Sequence, residues 1–318
     1  MIQLADIEAA AERIVGRVRR TPLLNAGPLK DPPFDSGQNG ALWLKLENLQ
    51  VTGSFKARGA TNALLSLGEE EIRRGIITAS GGNHGLAVAY AGWQAKTRAV
   101  IYLSENVPAA KADKLRAWGA EVVVEGPVWD DANEAALATA EREGLSYIHP
   151  FANPNVIAGQ GTVGLEILRE RPETDLLLVA IGGGGLMSGV ATAAKAMKPE
   201  IRVIGVEPTG APTLKESVAA GEVITLPSVE TEAVTLAPRR SAEINLEIIR
   251  RNVDDFILVS DEEMRAAARW LWFELGIAAE LSGAAVLAAL MTGRVTPPPG
   301  ARVTALVCGA GSDGLTAA

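Results

Sequence analysis

Four consecutive glycines, Gly182, Gly183, Gly184 and Gly185, follow the apolar run Leu176–Ile181 and precede a helix-like stretch from Leu186. Such a run is costly in chain entropy. It makes sense where backbone N–H groups approach an anion with no Cβ in the way, at the positive end of a helix. A phosphate suits that place, although a tight strand-to-helix turn or close helix packing would also account for it. A second cluster, Ser80-Gly81-Gly82-Asn83-His84-Gly85, likewise follows an apolar run and opens a helix-like segment. A third segment, Gln50-Val-Thr-Gly-Ser-Phe-Lys-Ala-Arg-Gly-Ala60, sets Lys56 near a helix start. There the helix dipole favours the neutral amine, the form that condenses with an aldehyde. Taken alone, Lys56 reads as a solvated surface lysine. An aromatic neighbour and a phosphate-type loop elsewhere in the chain add weight to the chemical reading.

Other phosphate binders fit less well. No G-x-x-x-x-G-K-[ST] occurs, which argues against a nucleoside triphosphate loop. The unit from Leu176 to Glu207 resembles a dinucleotide βαβ, but G-x-G-x-x-G fails at Met187 when counted from Gly182 and at Ser188 from Gly183. One cysteine, Cys308, permits no internal disulfide, and two histidines with it cannot close a four-ligand zinc site. A net charge of −8 disfavours polyanion binding as the main task. No stretch reaches ~18 uninterrupted apolar residues, and the N-terminus has an amphipathic pattern rather than that of a signal segment. A cytoplasmic setting, with no nucleic acid or membrane partner, is expected.

These loops need a frame. Apolar runs at Leu42–Leu46, Gly75–Ala79, Arg98–Leu103 and Glu121–Val124 each precede a helix-like segment. The theme returns at Leu176–Ile181, Arg202–Val206, Phe256–Val259 and Val303–Val307. Such order predicts an α/β fold of mostly parallel sheets with helices on both faces. Ligands in such sheets bind at the carboxyl ends of strands. Two glycine loops at two such ends therefore predict a cleft between two sheets. Pro28–Gly40, Thr225–Ser241 and Pro297–Pro299 read as loops.

The chain resembles the fold-type II pyridoxal-phosphate enzymes (the tryptophan synthase β-subunit-like fold), within the group of serine/threonine dehydratases and serine racemases. The matching stretches are Arg20-Thr-Pro-Leu23, Lys45-Leu-Glu-Asn-Leu-Gln50, Thr52–Ala60, Ser80–Gly85, Asn155-Val-Ile-Ala-Gly-Gln-Gly-Thr162, Gly182–Leu186, Gly205-Val-Glu-Pro208 and Cys308-Gly-Ala-Gly311. They run in family order from about residue 20 to the C-terminus, and together they are highly specific.

The resemblance implies a role for each position. Lys56 would hold pyridoxal phosphate as a Schiff base and then act as the proton-abstracting base. Phe55 would lie against the pyridine ring, Asn83 would bond its 3-oxygen, and Cys308 would stand at the position that bonds its nitrogen. Gly182, Gly183, Gly184, Gly185 and Leu186 would cradle the phosphate. Ser80, Gly81, Asn83 and His84 would take the substrate carboxylate. A thiol is a poor proton source beside a pyridine, which suits β-elimination better than transamination. The implied reaction is dehydration and deamination of a hydroxyamino acid, such as L-threonine or L-serine, to a 2-oxo acid and ammonia. A large domain, 1–49 and 148–318, and a small domain, 50–147, are expected, in a homodimer or homotetramer. No appended regulatory domain is expected.

Several positions depart from the family pattern. Gly81 stands where racemases of the group carry a serine, which favours a dehydratase. Ala233-Val234-Thr235 replaces an Ala-Asp-Gly, Ala152 an aspartate, and Leu281 a proline in Glu280-Leu-Ser-Gly-Ala. Glu207 and Ala211 match two ligands of a divalent ion held by some relatives, but Thr213 stands in the third place, so no metal is expected. Arg239 and Arg240 invite the idea of a second substrate carboxylate, as in 3-hydroxyaspartate; a solvated basic turn is the plainer account. A racemase, a nicotinamide oxidoreductase and a non-catalytic pyridoxal-phosphate-binding paralogue are the competing readings.

Overall fold

The computed structural model describes residues 1–38 and 40–315. The chain opens with α1 (Leu4–Arg13), β1 (Leu23–Asn25), β2 (Ala41–Leu46), α2 (Lys56–Leu65) and α3 (Glu69–Arg74). Alternating units follow: β3 (Ile76–Ala79), α4 (Asn83–Ala95), β4 (Ala99–Leu103), α5 (Ala109–Ala117), β5 (Glu121–Val124), α6 (Trp129–Glu143) and β6 (Ser146–Tyr147). Next come α7 (Pro154–Glu170), β7 (Leu176–Ala180), α8 (Gly185–Met197), β8 (Arg202–Pro208) and α9 (Thr213–Ala220). The last elements are α10 (Glu243–Asn252), β9 (Asp255–Val259), α11 (Asp261–Leu275), α12 (Leu281–Met291) and β10 (Arg302–Val307).

Two sheets result, one in the order β1-β2-β10-β7-β8-β9 and one in the order β5-β4-β3-β6. All pairings are parallel except that of β1 with β2. Strands β3, β4 and β7 are buried along their whole length, as parallel strands covered on both faces must be. Each apolar run expected as a strand is one. Strands β1 and β6 were not expected; three and two residues are too few to show a period. The 225–241 segment is irregular apart from a 3-10 turn at Val234–Leu236 and a single antiparallel bridge between Thr225 and Arg240. Helix α12 is apolar apart from Ser282 in its first turn, and it is buried from Leu281 to Leu290, the pattern of a helix sealed in a core.

The frame fixes α2 with unusual force. A Cβ on Gly59 would fall 2.7 Å from the Val156 carbonyl, and one on Gly159 would fall 2.7 Å from the Arg58 carbonyl. Helices α2 and α7 therefore cross backbone to backbone. Beside that crossing lies a buried ion network. The Arg58 guanidinium donates to both oxygens of Glu47 at 2.8 Å and to Glu166 at 2.7 and 2.9 Å. Lys45 Nζ donates to Glu166 at 2.6 Å and to the Thr21 carbonyl at 2.8 Å. Arg58, Lys45 and Glu47 have no solvent exposure. Two cations face two anions, so the charges compensate, with Glu166 alone keeping an edge to solvent. Thr21, Lys45, Glu47 and Arg58 lie within the motifs singled out above; their shared task is to lock the start of α2.

Candidate active site

Lys56 is the first residue of α2. The segment before it runs beside the end of β10: Phe55 N donates to the Cys308 carbonyl at 3.3 Å, and Ala310 N to the Gly53 carbonyl at 2.8 Å. That pairing brings the amine and the thiol into one place. Lys56 Nζ donates to the Pro150 carbonyl at 2.8 Å and stands 5.3 Å from the Phe55 ring centre. Burial pushes its pKa down to about 8, against Cys308 and Glu280, which favour the ammonium. Desolvation of the side chain favours the neutral amine. Burial also pushes the Cys308 thiol up to about 12, which keeps it a neutral thiol.

Both histidines of the chain meet here. His84, near the start of α4, places Nε2 2.9 Å from the Ile148 carbonyl, and its buried Nδ1 has no partner among the described residues. Nδ1 of His149 accepts from the backbone N–H groups of Phe151 at 3.2 Å and Ala152 at 2.9 Å. Its proton therefore sits on Nε2. Burial first, then the nearby Lys56, pushes His84 down to about 3 and His149 to about 4. Both rings are neutral at neutral pH.

The tetraglycine turn links β7 to α8. Gly184 has φ +94°, a conformation only glycine adopts freely. A Cβ on Gly183 would overlap the Phe151 ring. Asn245, fully buried on α10, donates to the Gly183 carbonyl at 2.9 Å and to the Phe151 carbonyl at 3.1 Å. Ser241 Oγ donates to the same Gly183 carbonyl at 2.9 Å. A trans peptide points its C=O and the next N–H in opposite directions. With the carbonyl held by α10 and Ser241, the Gly184 N–H is turned to the other side of the loop, ahead of the α8 N-terminus.

The second glycine loop bends from β3 into α4. Ser80 N donates to the Tyr102 carbonyl at 3.1 Å, and Ser80 Oγ accepts from Gly82 N at 3.3 Å. Asn83 Nδ2 donates to Glu280 Oε1 at 2.9 Å. Thus Phe55, Lys56, Asn83, His84 and Cys308 gather around the 148–151 segment and Glu280. Through Phe151 that segment also touches Gly183 and Gly185.

The remaining expectations sort differently. Arg239 and Arg240 are exposed and brace Leu226 and Thr225. That is the basic-turn account, and nothing in their contacts turns them to the cleft. Both oxygens of Glu207 accept from the first turn of α9, from Leu214 N and Lys215 N at 2.8 Å each. Thr213 Oγ1 donates to the Pro238 carbonyl. Leu281 N donates to Asp313 at 2.8 Å, a bond that a proline there would forbid. Glu280, His149, Pro150 and Asn245 were not singled out by the sequence reading as site residues. The available signals were the presence of Glu280 in the family stretch Glu280-Leu-Ser-Gly-Ala and the chain's having two histidines in all.

The residues fit a phosphorylated aldehyde: a half-buried amine of lowered pKa for the carbonyl, and a Cβ-free turn at a helix start for the phosphate. Comparison with known proteins agrees. The chain is 39% identical over 291 residues to the L-threonine ammonia-lyase of Thermotoga maritima, covering 92% of this chain and 71% of that protein. It is 36% identical to the phenylserine dehydratase of Ralstonia pickettii, covering 98% of this chain and 95% of that one. The maize serine racemase structure superposes with a TM-score of 0.89 at 34% identity, over 97% of this chain and 93% of that chain. The family profile described as pyridoxal-phosphate dependent enzyme matches residues 14–309, a span that contains Lys56, both glycine loops and Cys308. The chain belongs to that pyridoxal-phosphate dependent family.

Proposed function

We propose that this enzyme is a lyase that eliminates water from a small hydroxyamino acid such as L-threonine or L-serine, after which water returns to hydrolyse the resulting free imine to a 2-oxo acid and ammonia. Bound pyridoxal phosphate supplies the electron sink for the carbanion. Lys56 would hold the cofactor's aldehyde, and its amine would take the substrate's α-proton. A pKa of about 8 suits an amine that must both give and take a proton near neutrality. Gly182–Gly185 and Leu186 hold the phosphate. Phe55 flanks the ring, Asn83 donates to its 3-oxygen, and Cys308 faces its nitrogen. Ser80, Gly81, Asn83 and His84 receive the substrate carboxylate. In this reading residues 50–147 form the small domain, and 1–49 with 148–318 the large one.

One observation carries elimination over racemisation. A racemase of this group needs a second proton carrier facing Lys56 across the substrate. Gly81 has none, and a Cβ there would come within 2.9 Å of both Val107 methyls. The test is a visible spectrum of the purified protein with added pyridoxal phosphate, followed by assay of amino acids for 2-oxo acid and ammonia. Lys56→Ala is expected to abolish both the visible band and turnover. A variant retaining both would refute the assignment, and D-serine formed from L-serine without ammonia release would instead establish the racemase.

A further inference from the structure

Glu280, the residue before α12, has no role in the reading above, yet it sits between two residues that do. Its Oε1 accepts from Asn83 Nδ2 at 2.9 Å and from Ser282 Oγ at 2.5 Å. Ser282 Oγ in turn accepts from Cys308 Sγ at 3.8 Å. The backbone is shaped to admit this carboxyl: Glu280 N donates to the Gly309 carbonyl at 3.2 Å, and a Cβ on Gly309 would overlap the Glu280 side chain. The glycine after Cys308 thus makes room for the acid.

We propose that Glu280 is a positioning residue that sets the hydrogen-bond polarity at both edges of the cofactor ring. The proposal rests on the assignment of Asn83 to the 3-oxygen and Cys308 to the ring nitrogen. An amide has two N–H donors on one nitrogen. With one committed to Glu280, the second is presented to the 3-oxygen, and the Asn83 carbonyl is turned away. At the other edge the thiol gives its one hydrogen to Ser282, whose own hydrogen goes to Glu280. The thiol then has no hydrogen left for the ring nitrogen, which stays unprotonated. One acceptor thereby gives the 3-oxygen a donor and denies one to the nitrogen.

The test reads the absorption spectrum of the loaded protein at one fixed pH. A donor at the 3-oxygen favours the ionised oxygen and the visible band; an acceptor there favours the neutral hydroxyl and the near-ultraviolet band. Glu280→Ala is expected to lower the visible to near-ultraviolet ratio about fivefold, the worth of roughly one net hydrogen bond. Asn83→Ala should lower it by a similar factor, and the double variant no further, because both act through one contact. Glu280→Gln, which keeps an acceptor oxygen, should stay within about twofold of the parent. If Glu280→Ala does not fold, Glu280→Leu fills the same space without an acceptor and is read in its place. An unchanged ratio in the Ala or Leu variant, or additive losses in the double variant, overturns the role of Glu280. A parent protein that develops no visible band overturns the cofactor assignment itself, so the two failures are distinguishable.

Discussion

Val107 fills the space in front of Gly81: both of its methyl carbons lie 2.9 Å from where a Gly81 Cβ would stand. The glycine and the valine therefore act as a pair. Gly81→Ser alone is expected to overpack the loop and cost about 1–3 kcal/mol, read as a lowered Tm. Val107→Ala should restore most of that loss in the double variant. The same double variant should gain racemisation of L-serine, measured by chiral chromatography. A single Gly81→Ser variant as stable as the parent would show that the valine yields freely.

The pH dependence of cofactor capture follows from Lys56. An ordinary lysine keeps its proton to ~10.4, whereas this amine releases it at about 8. Its folded pKa is lowered, so between those values the unfolded chain holds more protons and stability of the cofactor-free chain rises with pH. Capture needs the neutral amine. Its rate should climb about tenfold per pH unit below pH 8 and flatten above it. His84 and His149, at about 3 and about 4, do not titrate in this window. Stopped-flow growth of the visible band measures the rate; a climb continuing to ~10.4 would return Lys56 to an ordinary lysine.

Arg58 carries a stability prediction. Arg58→Ala strands Glu47 as a buried anion and should cost about 3–5 kcal/mol in urea unfolding. Arg58→Lys is expected to recover little, since an ammonium cannot meet Glu47 and Glu166 with the flat fork that guanidinium offers. Full stability in the lysine variant would mean that charge alone suffices.

Asn245 tests the phosphate turn from behind. Asn245→Ala removes a donor from the Gly183 and Phe151 carbonyls and should cost about 1–3 kcal/mol of stability. With the 183–184 peptide freer to turn, the Kd for pyridoxal phosphate should rise about tenfold, or ~1.4 kcal/mol. Fluorescence titration reads it. An unchanged Kd would show that the turn holds its orientation without α10.

Much of this was legible in the residues. Strands buried on both faces are written as continuous apolar runs, and β3, β4 and β7 follow that rule. Gly182–Gly185 at the head of α8 and Lys56 at the head of α2 are local patterns, visible because a positive φ and a helix start are properties of a few neighbouring residues. Strands β1 and β6 were invisible for the complementary reason: two or three residues carry no period, and their pairing partners create them.

The order of the main strands and helices, the two glycine loops and a lysine at the head of α2 were determined by the sequence itself. Only the folded chain decided what lowers the lysine's pKa, which carboxyl orients Asn83, and what blocks Gly81. Glu280 and Asn83 are far apart in the chain yet 2.9 Å apart in space, and Gly81 meets Val107 across a loop. Desolvation and hydrogen bonding depend on everything that surrounds a group, and such surroundings are assembled from distant segments that no local pattern records.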